Sequence, residues 1–162
     1  MKAWVVYESH WGNTAAVAAA VADGIGAGAR AVTTSEAARQ DLRDADLVVA
    51  GAPVLGFRLP TDAMVRGLER ESAKAPRPAD LEHPTLRSWL ENLPPASGLG
   101  AAFETALRWS PGGSTGAIAR LLAAAGYRPA ASPRRFFVAG ANPSNRSTCV
   151  ARCRAKRRAS GC

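Results

Sequence analysis

The chain has 162 residues, 47% of them hydrophobic, which is the size of one domain with its own core. Its formal net charge is +8, but six Lys and Arg residues and no acids lie between 141 and 162. The rest of the chain therefore has a net charge of only +2, which is too low to indicate a nucleic-acid-binding domain. No apolar run reaches the ~20 residues of a membrane span, and polar residues from Glu8 onward break any signal-peptide pattern, so a cytoplasmic protein is expected.

Apolar runs that are typical of buried parallel strands alternate with helix-like segments along the chain. Strands are predicted at Ala3–Tyr7, Ala29–Thr33, Asp46–Ala50, Gly100–Thr105 and Arg135–Ala139. Helices are predicted at Thr14–Gly24, Glu36–Arg43, Thr61–Arg70, Thr85–Leu93 and Thr115–Ala125, and the proline-rich segment Ala75–Pro84 is predicted to be a loop. This alternation predicts an α/β fold in which helices cover both faces of a parallel sheet.

Beyond 140 the sequence changes character. The segment 141–162 is basic, contains Cys149, Cys153 and Cys162, and shows no apolar stripe of an amphipathic helix. The cysteine spacing fits no zinc site, and no histidine follows His83 to complete one. We therefore expect one domain over 1–140 and a tail over 141–162 that is disordered or divergent.

Ligands of such sheets bind beyond the carboxyl ends of the strands, where the strand order reverses. Three segments are expected at that edge: ESHWGNT after the first strand, GAPVLGFRLP after the third and ALRWSPGGST after the fourth. The first of them enters a helix, whose unpaired amides and dipole favour an anion. Gly12 permits a close backbone approach, and the absence of lysine favours a phosphate monoester over a triphosphate. The alternative is that Ser9 or Asn13 simply caps the helix.

Two other motif matches fail on their context. Gly24–Ala29 matches the dinucleotide pattern G-x-G-x-x-A, but it follows a predicted helix instead of preceding one. Gly112–Gly116 matches the hydrolase pattern G-x-S-x-G, but no acid follows Glu104 and no histidine follows His83 to complete a triad. No catalytic residue and no metal site is therefore predicted.

Three stretches together resemble the flavodoxin family. They are Y-E-S-x-x-G-N-T at 7–14, A-P at 52–53, and G-Y-R-P followed by F-F-V-A-G before 141. The resemblance covers 1–140 and implies a flavodoxin-like three-layer sandwich with a five-stranded parallel sheet in the order 2-1-3-4-5, holding FMN non-covalently. The sequence departs from the family in two ways. The body of the chain is nearly neutral, whereas electron-carrying flavodoxins are generally acidic. The terminal helix that covers the sheet in the family has no counterpart in this sequence. The second departure predicts lower stability or dimerisation.

The resemblance also implies where the cofactor is held. The FMN phosphate is expected at Ser9, His10, Trp11, Gly12, Asn13 and Thr14, and the isoalloxazine ring beside Ala52, Pro53, Val54, Leu55, Gly56 and Phe57. The turn from Thr105 to Gly113 is expected on the other side of the ring. Phe57, Trp11 and Trp109 are the candidate aromatics for the ring face, and ordinary packing is the alternative for each.

Three functions are compatible with these features. The leading hypothesis is an FMN-binding redox protein, a monomer or weak homodimer, that transfers electrons between a reductase and an acceptor protein, without nucleic-acid or membrane partners. The second is an FMN-dependent oxidoreductase of the quinone reductase or protoporphyrinogen oxidase type. The third is a flavin-free module that retains the fold for protein interaction.

Overall fold

The computed structural model describes residues 1–72 and 78–139. Within them the elements follow in the order β1 (Ala3–Tyr7), α1 (Asn13–Ile25), β2 (Ala29–Thr33), α2 (Thr34–Ala37), β3 (Leu47–Pro53), α3 (Asp62–Ser72), α4 (Leu86–Glu91), β4 (Leu99–Leu107), α5 (Thr115–Ala124), β5 (Arg128–Pro129) and β6 (Arg134–Val138). The predicted tail over 141–162 lies outside the described residues.

The strands form one parallel sheet in the order β2-β1-β3-β4-β5, which confirms the predicted fold and strand order. The last position is shared, because β5 pairs with the start of β4 and β6 pairs with residues 103–107 of β4. The prediction of a single fifth strand was therefore incomplete. The register shifts by two residues between the two pieces, because Leu99 pairs with Arg128 but Phe103 pairs with Arg134.

The helices α2 and α4 are shorter than predicted, and α4 covers Leu86–Glu91 instead of Thr85–Leu93. The second predicted helix was placed over Glu36–Arg43, but α2 ends at Ala37. It begins at a capping box, in which Thr33 Oγ1 accepts from the Glu36 N–H at 3.2 Å and Glu36 Oε2 accepts from the Thr33 N–H at 2.7 Å. Thr85 starts α4 in a similar way by accepting from the Ser88 N–H.

Alternate residues of each strand face opposite sides of the sheet, and each side has its own apolar cluster. One cluster joins the sheet to α4 and α5 and includes Trp4, Val6, Val48, Ala50, Ala52, Leu86, Trp89, Ile118 and Leu122. The other joins the sheet to α1 and includes Val5, Val17, Ala18, Val49 and Phe103. Leu47, Ala101 and Phe136 are only half-buried on this second side, so the described residues cover it less completely.

Close packing also fixes the spacing of β3 and β4. Gly51 faces Phe103 across the two strands, and a Cβ at Gly51 would stand 2.0 Å from the Phe103 ring. Within residues 1–72 and 78–139, no helix is both long enough and apolar enough to cross a membrane.

Because the strands are parallel, the connecting loops lie at the two ends of the sheet, and the candidate site lies at the carboxyl end.

Candidate functional site

Three loops lie at the carboxyl edge of the sheet, and hydrogen bonds connect them. We call residues 8–12 the first loop, residues 54–61 the second loop and residues 108–114 the third loop. The Thr14 and Thr105 hydroxyls lie 2.9 Å apart and join the start of α1 to β4. Val54 N–H donates to the Thr105 carbonyl at 2.9 Å, and Gly113 N–H donates to the Phe57 carbonyl at 3.0 Å. The convergence predicted from the strand order is therefore observed.

The first loop ends at Gly12, which begins α1 in the left-handed conformation with φ 89°. Gly12 supplies no side-chain cap, so the amino end of this 13-residue helix is available to a ligand acceptor. Ser9 Oγ accepts from the Gly12 N–H at 3.1 Å, which leaves the Ser9 hydroxyl proton to be donated elsewhere.

A cavity of about 450 Å³ adjoins this helix end. Its lining comes from the first loop, the start of α1 and the segment 78–82: Ser9, His10, Trp11, Gly12, Ala15, Pro78, Ala79, Asp80, Leu81 and Glu82. The Ser9 hydroxyl and the first amides of α1 thus lie on one side of the cavity, and the segment 78–82 lies on the other. The donors and the helix end together provide the chemistry of an anion site.

His10 lines the cavity but is buried, and both of its ring nitrogens contact other residues of the chain. Nδ1 lies 3.1 Å from the Asp80 carbonyl oxygen, and Nε2 lies 3.1 Å from Glu8 Oε1. The Asp80 N–H in turn donates to the His10 carbonyl at 2.8 Å. Both ring nitrogens lie 3.1 Å from an oxygen, but the contact of Nε2 with Glu8 is an ion pair without hydrogen-bond geometry. Burial opposes a charged ring, but Glu8 and Asp80 outweigh it and raise the pKa of His10.

Glu8 completes this connection on the other side. Its Oε2 accepts from the Leu86 N–H at 2.8 Å, so one buried carboxylate contacts both His10 and the start of α4. The Glu8–His10 pair therefore connects the first loop to the start of α4, and the contacts of His10 with Asp80 connect it to the cavity segment 78–82. His10 is a positioning residue for the cavity.

The raised pKa of His10 makes stability depend on pH. Because the native state holds the proton more tightly than the unfolded chain, the contribution is complete below the usual pKa of 6.5 and is lost as pH rises through the folded pKa. We expect the free energy of unfolding, measured with urea, to fall as the pH rises above 6.5 through the folded-state pKa, and His10→Gln to flatten this dependence. His83→Gln is the control, and an unchanged pH dependence in His10→Gln contradicts the assignment.

The other residues expected at the phosphate differ in whether they line the cavity or pack against the rest of the chain. Asn13 is the first residue of α1, and Trp11 is half-buried and packs edge-on against His10, with ring centres 5.9 Å apart. Thr14 is 2% exposed, and its hydroxyl is paired with Thr105. Thr14 therefore couples the first loop to β4, while Ser9 and Gly12 line the cavity.

The second loop contains a tight turn with an exposed aromatic at its tip. Leu55 and Arg58 exchange both of their backbone hydrogen bonds at 3.1 Å, and the two residues between them have positive φ, 51° for Gly56 and 67° for Phe57. These values are those of a type I′ turn, which glycine and asparagine usually form. A bulky residue in this conformation is a backbone outlier, and Phe57 is 55% exposed.

The beginning of the expected ring segment belongs to the protein interior. Ala52 is fully buried in β3 and packs in the core. The Pro53 carbonyl accepts from Ser114 Oγ at 2.9 Å, and the Val54 N–H is bonded to Thr105. The part of this segment that a ligand can reach therefore begins after Pro53.

The third loop is held by a buried carboxylate that the sequence analysis did not assign. Glu104 is 1% exposed, and its Oε2 accepts from the Ser114 N–H at 2.5 Å and the Thr115 N–H at 2.8 Å. Its Oε1 pairs with Arg135, whose guanidinium also donates to the carbonyls of Gly112 and Ser110. A lone acid inside the apolar strand Leu99–Leu107 was the signal that could have revealed this pair.

The third loop displays the second exposed aromatic of the site. Trp109 is 75% exposed, and its loop contacts the Phe57 turn directly through Gly113. Gly112 has φ 70°, and a Cβ there would stand 2.0 Å from the Phe57 carbonyl oxygen. The second and third loops are thus closely packed, and each presents one large aromatic to solvent.

Comparison with known proteins supports the resemblance noted in the sequence. A family model described as Flavodoxin matches residues 5–92, more than half of the chain. The chain belongs to the flavodoxin family. No curated protein matches it.

Solved structures show the same fold at low sequence identity. A flavodoxin from the domain Archaea superposes with a TM-score of 0.62 at 20% identity, covering 96% of this chain and 92% of that one. Streptococcus pneumonia TIGR4 flavodoxin has a TM-score of 0.55 at 13% identity, covering 98% and 99%. Rubredoxin oxygen:oxidoreductase from Desulfovibrio gigas has a TM-score of 0.50 at 16% identity, covering 96% of this chain and 37% of that longer one.

Membership in the flavodoxin family implies flavin binding, typically of FMN, and flavodoxins generally transfer electrons to partner proteins. The residues of this chain fit such a group. A helix start without a side-chain cap suits a phosphate, and two exposed aromatics on adjacent loops suit a planar ring. Asp80 and Glu82 add negative charge to the cavity lining. The carboxylate of Asp80 is already engaged by the protein, because Oδ1 accepts from the Glu82 N–H and Oδ2 lies 3.5 Å from His83 Nε2.

Proposed function

We propose that this chain binds FMN at the carboxyl edge of its sheet and transfers electrons between a reductase and an acceptor protein. The amino end of α1 carries this proposal, because it has no side-chain cap and opens onto a cavity with Ser9 and Gly12. A phosphate monoester is an acceptor that this group of donors can bind without lysine or magnesium.

Each part of the chain has a role in this proposal. The Ser9 hydroxyl and the first amides of α1 donate to the phosphate, and the Glu8–His10 pair keeps the first loop in place. Phe57 and Trp109 contact the ring and exclude water from it, and the Glu104–Arg135 pair holds the loop of Trp109. Bound FMN supplies the redox chemistry, and the protein controls its position and access.

Substitution of Ser9 tests the phosphate site. Ser9→Ala removes a donor to the phosphate and the acceptor of the Gly12 N–H, and we expect it to weaken FMN affinity about five- to tenfold. The affinity is measured from the quenching of FMN fluorescence as the apo-protein is added. Ser97→Ala, beyond the opposite edge of the sheet, is the matched control and should leave affinity unchanged. Equal affinities of the Ser9 variant and the wild type contradict the assigned site.

A further inference from the structure

Arginine and aromatic side chains together form an exposed surface beside the ring loops. We call it the arginine–aromatic surface, and it consists of Phe57, Arg58, Arg108, Trp109, Arg135 and Phe137. All six residues are exposed, and Phe137 is 50% exposed although it lies in β6. The proposed flavin site gives a role to Phe57 and Trp109 but leaves Phe137 and the free arginine charges unexplained.

Several contacts make this surface continuous. The Arg108 guanidinium lies over the Phe137 ring, 5.9 Å from its centre, which is the geometry of a cation–π pair. The backbone of Arg58 pairs with that of Gly113 in a single parallel β-bridge, and the Arg135 guanidinium donates to the carbonyl groups of Ser110 and Gly112 in the third loop. The surface thus extends from the turn of the second loop across the third loop to the edge strand β6.

The charged residues of the segment that supplies most of this surface have one sign. From 105 to 139 the chain contains five arginines and no acid, whereas residues 1–104 contain 10 Lys and Arg against 13 Asp and Glu. Among the residues that the structure describes, the carboxylate paired with this surface is Glu104, which is buried and bound to Arg135. Arg58 and Arg108 therefore have no acid beside them in the second and third loops.

We propose that the arginine–aromatic surface docks a redox protein whose contact face is acidic. This inference rests on the proposed function and deepens it by specifying the partner. Apolar centres with a charged rim are common in protein interfaces, and complementary charge steers the encounter. Electron-carrying flavodoxins are generally acidic, so this chain docks with the opposite charge polarity.

Three other occupants fit the surface less well. The segment 141–162 contains six Lys and Arg and no acid, so its charge has the same sign as the surface and gives it no complementary contact. A second copy brings the same arginines against themselves, which opposes a symmetric contact. A nucleic acid requires a longer track of cations than the few arginines of this patch, although stacking on its aromatics is chemically feasible.

Binding measured by thermophoresis tests the proposal on the full chain, with and without FMN. The probes are an acidic plant-type ferredoxin and basic cytochrome c, each at about 20 and about 200 mM NaCl. We expect the ferredoxin to bind more tightly than cytochrome c and to lose about tenfold in affinity at the higher salt concentration. Arg108→Gln and Arg58→Gln should each weaken ferredoxin binding about threefold. Arg30→Gln, which removes the same charge from the opposite edge strand, is the matched control.

The outcomes separate this proposal from the proposed function. Tighter binding of cytochrome c, no ferredoxin binding, or an equal loss in the Arg108 and Arg30 variants overturns the acidic docking partner, whatever the FMN titration shows. Displacement of ferredoxin by low concentrations of single-stranded DNA of about 20 nucleotides also overturns it in favour of a nucleic-acid site. A chain that binds ferredoxin through Arg108 but fails to bind FMN supports the surface and contradicts only the proposed cofactor.

Discussion

Replacement of Glu104 by alanine is expected to lower the free energy of unfolding by about 3–5 kcal/mol. The carboxylate is 1% exposed and accepts from two backbone amides at the start of α5, and it neutralises Arg135. Its removal leaves the amides of Ser114 and Thr115 without their acceptor and Arg135 without its counter-charge. Unfolding in urea, followed by circular dichroism, measures the loss.

Two matched variants make this expectation specific. Glu69→Gln removes an exposed acid from α3 and should change the free energy of unfolding by less than about 0.5 kcal/mol. Glu104→Gln keeps the size and one acceptor oxygen, so it should lie between the wild type and the alanine variant. A Glu104→Ala protein as stable as Glu69→Gln contradicts the role given to the buried carboxylate.

Replacement of Gly112 by alanine is expected to weaken FMN binding about 10- to 100-fold. Gly112 has φ 70°, a conformation that L residues rarely adopt, and the added Cβ would lie 2.0 Å from the Phe57 carbonyl. The third loop must then move away from the second, which breaks the hydrogen bond from Gly113 to Phe57 and separates the two aromatics. Fluorescence quenching of FMN by the apo-protein measures the affinity.

Gly116 provides the control for that substitution. It lies in the first turn of α5, and a Cβ there would meet no atom nearer than 3.8 Å. Gly116→Ala should leave FMN affinity unchanged and slightly raise stability, because alanine favours a helix over glycine. If Gly112→Ala binds FMN as tightly as Gly116→Ala, the packing of the second loop against the third is not needed for the site.

The fold was largely predictable because its strands are buried on both faces. Ala3–Tyr7 lies inside the sheet between β2 and β3, so it has the continuous apolar run that predicts a parallel strand. The pair β5 and β6 was harder to predict, because β5 has two residues, both exposed, and no pattern precedes it. The length of α2 depended on a cap and on local packing, which periodicity alone does not report.

Within the site, local features were predictable and long-range pairs were not. The special backbone conformation of Gly12 was predictable, because a glycine between a strand and a helix indicates a turn that other residues do not form, and the predicted helix start at Thr14 was one residue late. The inward orientation of His10 depends on Asp80, 70 residues away, and that of Thr14 depends on Thr105, 91 residues away. Glu104 was missed for the same reason, because its partner Arg135 lies on another strand.

The central claim is that the amino end of α1 holds the phosphate of FMN, and calorimetric titration of the apo-protein with FMN and with riboflavin tests it most directly. The two ligands share the isoalloxazine ring and differ by the phosphate, whose charge-assisted hydrogen bonds should make FMN at least about 100-fold tighter. One FMN bound per chain with much weaker riboflavin binding is the result we expect. Equal affinities, or no heat with either ligand in a folded preparation, would contradict the claim.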